Sequence, residues 1–333
     1  MTQTVVVTGA AGFIGSHLVR WHLDRGDKVI GIDDFSSSRV DSPHMLEFQD
    51  SKYTFERAKT PTFWFLRYDI TNDLTFHIQS ITENVDIIYN FACPASPPLY
   101  QAAPIHTLMT STLGVKNMLM IAKHFNARFV HASTSEVYGD PAFTPQNESY
   151  WGNVNSYGPR SCYDEGKRAA EALCYDFHNM HNVDARLCRI FNTYGPHMDP
   201  DDGRVITNFV KQALRNEPLT VYGEGHQTRS FCYVDDLVDG IVRLGALNGN
   251  PETPVNIGNP NEISVIDVAK KVIDLVPGCK SEITFHELPV NDPLQRKPDI
   301  SLAFKLLSWY PQVSLKLGLK MMIEYMSQKD VIR

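Results

Sequence analysis

The sequence predicts an α/β fold built on a doubly wound parallel sheet, and three observations predict it. Short β-rich runs alternate with helical patterns from residue 4 to about 191. The runs are apolar almost throughout, as strands covered by helices on both faces must be. The first run also passes into a helix through glycines three apart.

In order, the strands are read in "TVVVT", "KVIGID", "FWFLRYD", "VDIIYNFA", "ARFVHAS" and "VDARLCRIFN". Strand, helix and strand in succession, with right-handed crossovers, give a Rossmann-like sheet over residues 1–191. Beyond residue 192 the pattern loosens into loops rich in Gly, Pro and Asp. Helices are expected near 204–215, 234–248, 264–275 and 315–328, in a smaller, discontinuous subdomain over 192–333 that binds substrate, with some later segments returning to the sheet. Residues 36–62 are polar and irregular and read as an excursion.

At 333 residues, 43% hydrophobic and 21% charged, the chain can bury a large core. A net charge of -7 and the lack of any Lys/Arg run argue against a nucleic-acid surface and favour a small-molecule ligand. Cysteines at 93, 162, 174, 188, 232 and 279 form no CxxC pair and no Cys/His spacing suited to zinc. A reduced cytoplasmic protein with no disulfide framework and no metal is expected. The apolar strand at residue 4 leaves no room for a signal peptide, and no run approaches the ~18 apolar residues of a membrane span.

The stretch "TGAAGFIGSHL" sets Gly9, Gly12 and Gly15 around Phe13 and Ile14. Gly9 suits the tight turn, Gly12 lets a pyrophosphate approach the backbone, and Gly15 lets the helix pack closely on the sheet. The next strand ends in Asp33, where a carboxylate accepts hydrogen bonds from a ribose and repels a 2′-phosphate, so NAD is expected over NADP. Asp34 adds to that repulsion. Asp69, followed by Ile70, serves equally well as a contact to adenine or as a turn cap.

Tyr163 and Lys167 stand four apart on a predicted helix and therefore share a face. An ammonium there favours the phenolate, and a phenol lowered toward neutrality can take a proton from a sugar hydroxyl as hydride leaves for nicotinamide. The strand "ARFVHAS" ends in "STSEVYG", at the carboxyl edge where such sheets bind ligands. Ser133 or Thr134 can bond the same hydroxyl, or cap the turn. Glu136 beside the cleft is costly unless solvated, paired or catalytic.

These glycines, the Thr at a strand end and the Tyr-x-x-x-Lys pair resemble the extended short-chain dehydrogenase/reductase family acting on nucleotide sugars. The blocks "CPASPPLYQAAPIHTL", "STSEVYGDP", "YWGNVNSYGPRSCYDEGKRAAE", "RIFNTYGPHM", "DDGRVITNF", "PLTVYGEGHQTRSFCYVDDL" and "QRKPDI" narrow it. They resemble the UDP-glucuronate decarboxylases, or UDP-xylose synthases, from residue 4 to about 328.

The resemblance implies oxidation at carbon 4 of UDP-glucuronate, loss of carbon dioxide from the β-keto acid, and re-reduction to UDP-xylose with NAD used catalytically. It implies Tyr163 as the base, Lys167 as its support and the holder of the nicotinamide ribose, and Thr134 aligning the hydroxyl. Glu136 and Ser135 then stand near carbon 5, and Arg296 serves the carboxylate or a phosphate. Ala92, Pro94 and Ala95 fall near the cofactor, and Ser96 and Tyr100 near the sugar. Asn192, Arg204, Tyr222, Gln227 and Arg229 fall in the UDP half, with Arg229 on phosphate and Tyr222 near uracil. The family pairs helices near 104–125 and 157–181 into a four-helix bundle, which implies a homodimer.

His197, His106, Ser111, Ser156 and Tyr157 depart from the family pattern and are expected around the substrate. Release of UDP-4-keto-pentose with NADH, a 4,6-dehydratase, a 4-epimerase and a non-catalytic NAD-binding protein are the competing readings. Ser135 bears on the dehydratase, which typically carries an acid at that place to protonate its leaving hydroxyl.

Overall fold

The apolar runs become strands covered on both sides, and the first of them shows how. In the computed structural model, Val5 and Val7 of β1 (Thr4–Thr8) enter one buried cluster and Val6 enters another. Side chains alternate across a strand, so a run apolar at every position needs a core on each face. The structure describes residues 2–38, 62–287 and 295–328 and the backbone of 55–57; most of the excursion read over 36–62 lies outside the described residues.

Further strands are β2 (Lys28–Asp33), β3 (Phe55–Arg57), β4 (Phe63–Arg67), β5 (Ile87–Asn90), β6 (Arg128–Thr134) and β7 (Ala185–Ile190). Short strands β8 (Thr193–Tyr194), β9 (Leu219–Tyr222), β10 (Thr228–Ser230) and β11 (Cys232–Tyr233) precede β12 (Val255–Ile257). The last are β13 (Glu262–Ser264), β14 (Ile283–His286) and β15 (Gln295–Arg296). Among the described residues the main sheet has eight strands in the order β12-β7-β6-β5-β1-β2-β4-β3. All its pairings are parallel except that of β3 with β4. Two strands are thus added to the six expected: the antiparallel edge β3, inside the supposed excursion, and β12, which returns from the second half to pair with β7.

Helices α1 (Phe13–Asp24), α2 (Thr75–Gln79), α3 (Pro97–Ala102), α4 (Pro104–Met109), α5 (Val115–Phe125) and α6 (Ser161–His181) belong to the first half. Then come α7 (Val205–Leu214), α8 (Val234–Ala246), α9 (Val265–Leu275), α10 (Ser301–Leu307) and α11 (Leu315–Met326). One face of the sheet carries α1 and α8, the other α5 and α6. The helix expected over 104–125 is interrupted by a wider π turn at Thr110–Gly114. There Gly114 lies against Ile70, where an added Cβ would come within 2.8 Å of the Ile70 side chain.

Beyond the sheet, α7, α9 and α11 pack together, and β9 pairs with β14. The Ser264 hydroxyl starts α9 by accepting from the Asp267 backbone N–H at 3.2 Å. Strand β10 pairs antiparallel with β13 and parallel with β15, setting Arg229 opposite Arg296.

Candidate active site

A cleft of about 1230 Å³ runs across the carboxyl ends of the strands, where the order reverses between β1 and β5. Every cofactor, substrate and catalytic residue named from the sequence lines it. It exceeds the usual volume for one small ligand, about 300–1,000 Å³.

The glycine turn forms one end. Gly9 has φ +68°, and a Cβ there would meet the Phe91 carbonyl carbon at 2.8 Å. Gly12 is the N-cap of α1, so bare backbone and a helix N-terminus face the groove. A Cβ on Gly15 would lie 1.9 Å from the Gly9 oxygen, which is why helix and turn approach so closely. Asp33 is buried at the end of β2, where Oδ2 accepts from Ala11 N at 3.0 Å and Oδ1 from Phe35 N at 2.9 Å and Ser38 Oγ at 2.7 Å. Burial raises its pKa against those donors. A bare-backbone cradle ending in an anchored carboxylate fits a dinucleotide such as NAD. Ile70 is buried, and Asp69 caps its turn by accepting from Thr71 N at 2.8 Å. Asp34, Asp69 and His106 bring side-chain atoms within 4.8 Å of one another at this end.

At the middle, Tyr163 and Lys167 are both buried on α6. Lys167 Nζ donates to the Ala132 carbonyl at 2.8 Å and lies 5.7 Å from the Tyr163 ring centroid. The Tyr163 ring stacks on Tyr100, 5.0 Å between centroids and 7° from parallel. The expected lowering of the phenol is not found in the protein alone. Burial, then Cys93 and Glu136, push the Tyr163 pKa well above its usual value, while a hydrogen bond with Thr134 and the charge of Arg204 pull it down. Sequence spacing locates the ammonium but says nothing of how dry its surroundings are.

At the end of β6 the hydroxyls divide. Ser133 Oγ donates to Glu171 Oε1 at 2.5 Å and so belongs to the support beneath the site. Thr134 Oγ1 accepts from Glu136 N at 3.2 Å and is near enough to Tyr163 to draw its pKa down. Tyr138 is buried and donates to Asn256 Oδ1 at 2.7 Å, away from the chemistry.

Glu136 is paired twice, with Arg160 Nη2 at 2.6 Å and Arg296 Nη2 at 3.0 Å. Burial works to raise its carboxyl, but Arg296 and Arg160 outweigh burial and hold it below its usual range. Arg296 is buried and fixed through Nη1 to the carbonyls of Ser135 at 2.7 Å and Gly139 at 3.0 Å. Sequence reasoning missed Arg160 and, behind it, Asp164, although both stand within three residues of Tyr163. Burial, then Glu136, push the Asp164 carboxyl up to about 7 against the pull of Arg160.

The remaining residues line the far end. Arg204 pairs with Asp202 at 2.9 Å, Arg229 is buried on β10, and Gln227 Nε2 donates to the carbonyl of half-exposed Tyr222 at 2.7 Å. Asn192 follows β7 and holds Cys232 N through its carbonyl at 2.8 Å. Among the described residues, Ser96 Oγ and the Tyr100 hydroxyl find no hydrogen-bond partner though both are buried. Such orphaned polar groups in a cleft call for a polar ligand. Of the five departures, His106 and His197 line the cleft. Ser156, Tyr157 and Ser111 do not: the first two sit exposed in the loop before α6, and Ser111 is buried behind Cys93, its Oγ 3.2 Å from Sγ.

Residues 5–258 match the model of the NAD dependent epimerase/dehydratase family. UDP-glucuronic acid decarboxylase 4 of Arabidopsis thaliana is 48% identical over 98% of this chain and 69% of its own length. UDP-glucuronic acid decarboxylase 3 of the same plant is 47% identical over 96% of this chain and 88% of its own. Among solved structures, the UDP-glucuronic acid 4-epimerase from Bacillus cereus in complex with UDP-glucuronic acid and NAD superposes with a TM-score of 0.84. It is 30% identical, and the match covers 98% of this chain and 99% of that one. With 47–48% identity to decarboxylases over nearly all of this chain added to a shared fold, the chain belongs to the NAD dependent epimerase/dehydratase family and, within it, to the UDP-glucuronic acid decarboxylases.

Proposed function

We propose that this protein converts UDP-glucuronate to UDP-xylose by NAD-dependent decarboxylation. The observation that carries the reading is the Glu136–Arg296 pair, set in the cleft with Ser135, Thr134 and Tyr163 at the end of β6. It puts a carboxylate and a guanidinium next to a candidate base. Kinship with the decarboxylases supports it.

Gly9, Gly12, Gly15 and Asp33 would hold the cofactor's pyrophosphate and ribose, with Phe13, Ile14, Asp69, Ile70, Ala92, Pro94 and Ala95 around them and Lys167 at the nicotinamide ribose. Bound NAD+ would supply the hydride acceptor for carbon 4 and, once reduced, the hydride for its re-reduction. Tyr163 takes the proton of the carbon 4 hydroxyl, which Thr134 orients. The ketone lies β to the carboxylate, so the carbon–carbon bond breaks with its electron pair flowing to the carbon 4 oxygen. Arg296 offsets the negative charge held there. Glu136 and Ser135 manage the proton delivered to carbon 5. Tyr163 then returns its proton to the carbon 4 oxygen.

Arg229 and Arg204 would take the diphosphate, with Asn192, Tyr222 and Gln227 toward the uridine and Ser96 and Tyr100 on the sugar. Exposed Ile105, Leu108, Met109 and Met120 on α4 and α5, with Tyr175 and Met180 on α6, support a homodimer through these helices, which sedimentation tests. A reducing, cytoplasmic setting agrees with six free cysteines, and no helix of the described residues is long and apolar enough to cross a membrane.

Incubation with UDP-glucuronate and NAD+ should yield UDP-xylose without net NADH. UDP-4-keto-pentose with stoichiometric NADH would shift the reading to ketone release, and UDP-galacturonate would replace it with epimerisation.

A further inference from the structure

Glu136 is gripped from two directions, and both grips land on one oxygen. Arg296 arrives from β15 and Arg160 from the residue just before α6, each through Nη2 to Oε2. Oε1 takes no hydrogen bond from any described residue, and Glu136 lines the cleft. The guanidiniums differ in what else they hold. Arg296 is anchored to the carbonyls of Ser135 and Gly139 beneath the turn that carries Glu136. Arg160 joins that turn to another element: its carbonyl accepts from Tyr163 N at 3.1 Å and Asp164 N at 3.0 Å, and its Nε lies 3.9 Å from Asp164 Oδ2.

A closed circuit results. Thr134 accepts from Glu136 N and acts on the neighbouring Tyr163 hydroxyl, Glu136 bonds Arg160, and Arg160 begins the helix on which Tyr163 stands. We propose that Arg160 is a positioning residue for the reaction, holding Glu136 by Oε2 so that Oε1 is presented to the sugar, and tying that carboxylate to the helix of Tyr163. This rests on the decarboxylase reading above.

Charge supports the geometry. Glu136 is faced by Arg296 on β15, Arg229 on β10, Tyr100 on α3, and Tyr163, Asp164 and Arg160 at the start of α6. Without Arg160 the partly buried Glu136 keeps one direct partner, and its proton is held to higher pH.

The test uses full-length Arg160→Gln and Arg160→Lys with saturating NAD+. For Arg160→Gln, kcat for carbon dioxide release should fall at least about tenfold, with KM changed less than about threefold. The acid limb of its pH profile should move up by about one unit. Arg160→Lys restores the charge but not the fork, so its limb should stay in place and its kcat should lie between the other two. An unmoved limb in Arg160→Gln, or a loss confined to KM, overturns the inference. If Arg160→Gln does not fold, Arg160→Lys decides: wild-type kcat, or a limb raised by about one unit, overturns it. Wild-type protein that releases no carbon dioxide defeats the decarboxylase reading itself, a result distinct from either.

Discussion

The two ends of the cleft are built in opposite ways. At the dinucleotide end the surface is main chain: a positive-φ Gly9, a helix N-terminus at Gly12 and one carboxylate, Asp33, held by donors within 22 residues of it. At the sugar end it is charged side chains brought from afar, with Glu136 bonded to Arg296 across 160 residues of sequence. The first end depends on what is left out, the Cβ atoms that would fill it. The second depends on long side chains meeting, and on burial that the partners must offset.

Changes at the sugar end should therefore destroy turnover and spare NAD binding. Tyr163→Phe carries the largest effect, a loss of about 10³-fold or more in oxidation, with NAD affinity by calorimetry unchanged within about twofold. Glu136→Ala should follow at about 10²-fold in kcat, with UDP affinity nearly intact. Wild-type turnover in either variant breaks the comparison from this side.

Changes at the dinucleotide end should act through the cofactor. Gly15→Ala forces a Cβ to within 1.9 Å of the Gly9 oxygen, so the turn must shift. A cost of about 1–3 kcal/mol is expected, read as weaker NAD binding and a lower Tm. Asp33→Ser should narrow the preference for NAD over NADP about tenfold while leaving product identity alone. A changed product would show that the ends are not separable.

The smallest effect concerns Asp164. Its folded carboxyl, pushed up to about 7, keeps a proton that the unfolded chain loses near pH 4. The unfolded state thus binds fewer protons between these values, so this group's contribution to stability falls as pH rises through the window, and the penalty is full above it. Asp164→Asn should raise stability by about 1–2 kcal/mol at pH 8 and by almost nothing near pH 4, in denaturant titrations.

The same contrast governs what the sequence made legible. The glycine turn, Asp33 and the Tyr163–Lys167 pair are fixed by local spacing on one strand or helix, and the structure sets them together in the cleft. Helices α7, α8, α9 and α11 fall within a few residues of their expected bounds because their apolar faces repeat at helical period. Strand β12 and the edge strand β3 are three residues each, too short for a period to register. Arg160 was passed over because its worth lies in meeting Glu136, 24 residues earlier and on another element. The dryness around Tyr163, which reverses the expected direction of its pKa, is a property of the packed cleft and of no single motif.

The measurement closest to the central claim is the fate of label when UDP-glucuronate deuterated at carbon 4 turns over in light water, repeated with unlabelled substrate in heavy water. The account predicts UDP-xylose that keeps deuterium at carbon 4 in the first case and gains one at carbon 5 in the second. A product that retains the carboxylate, or that loses the carbon 4 label to solvent, would contradict it.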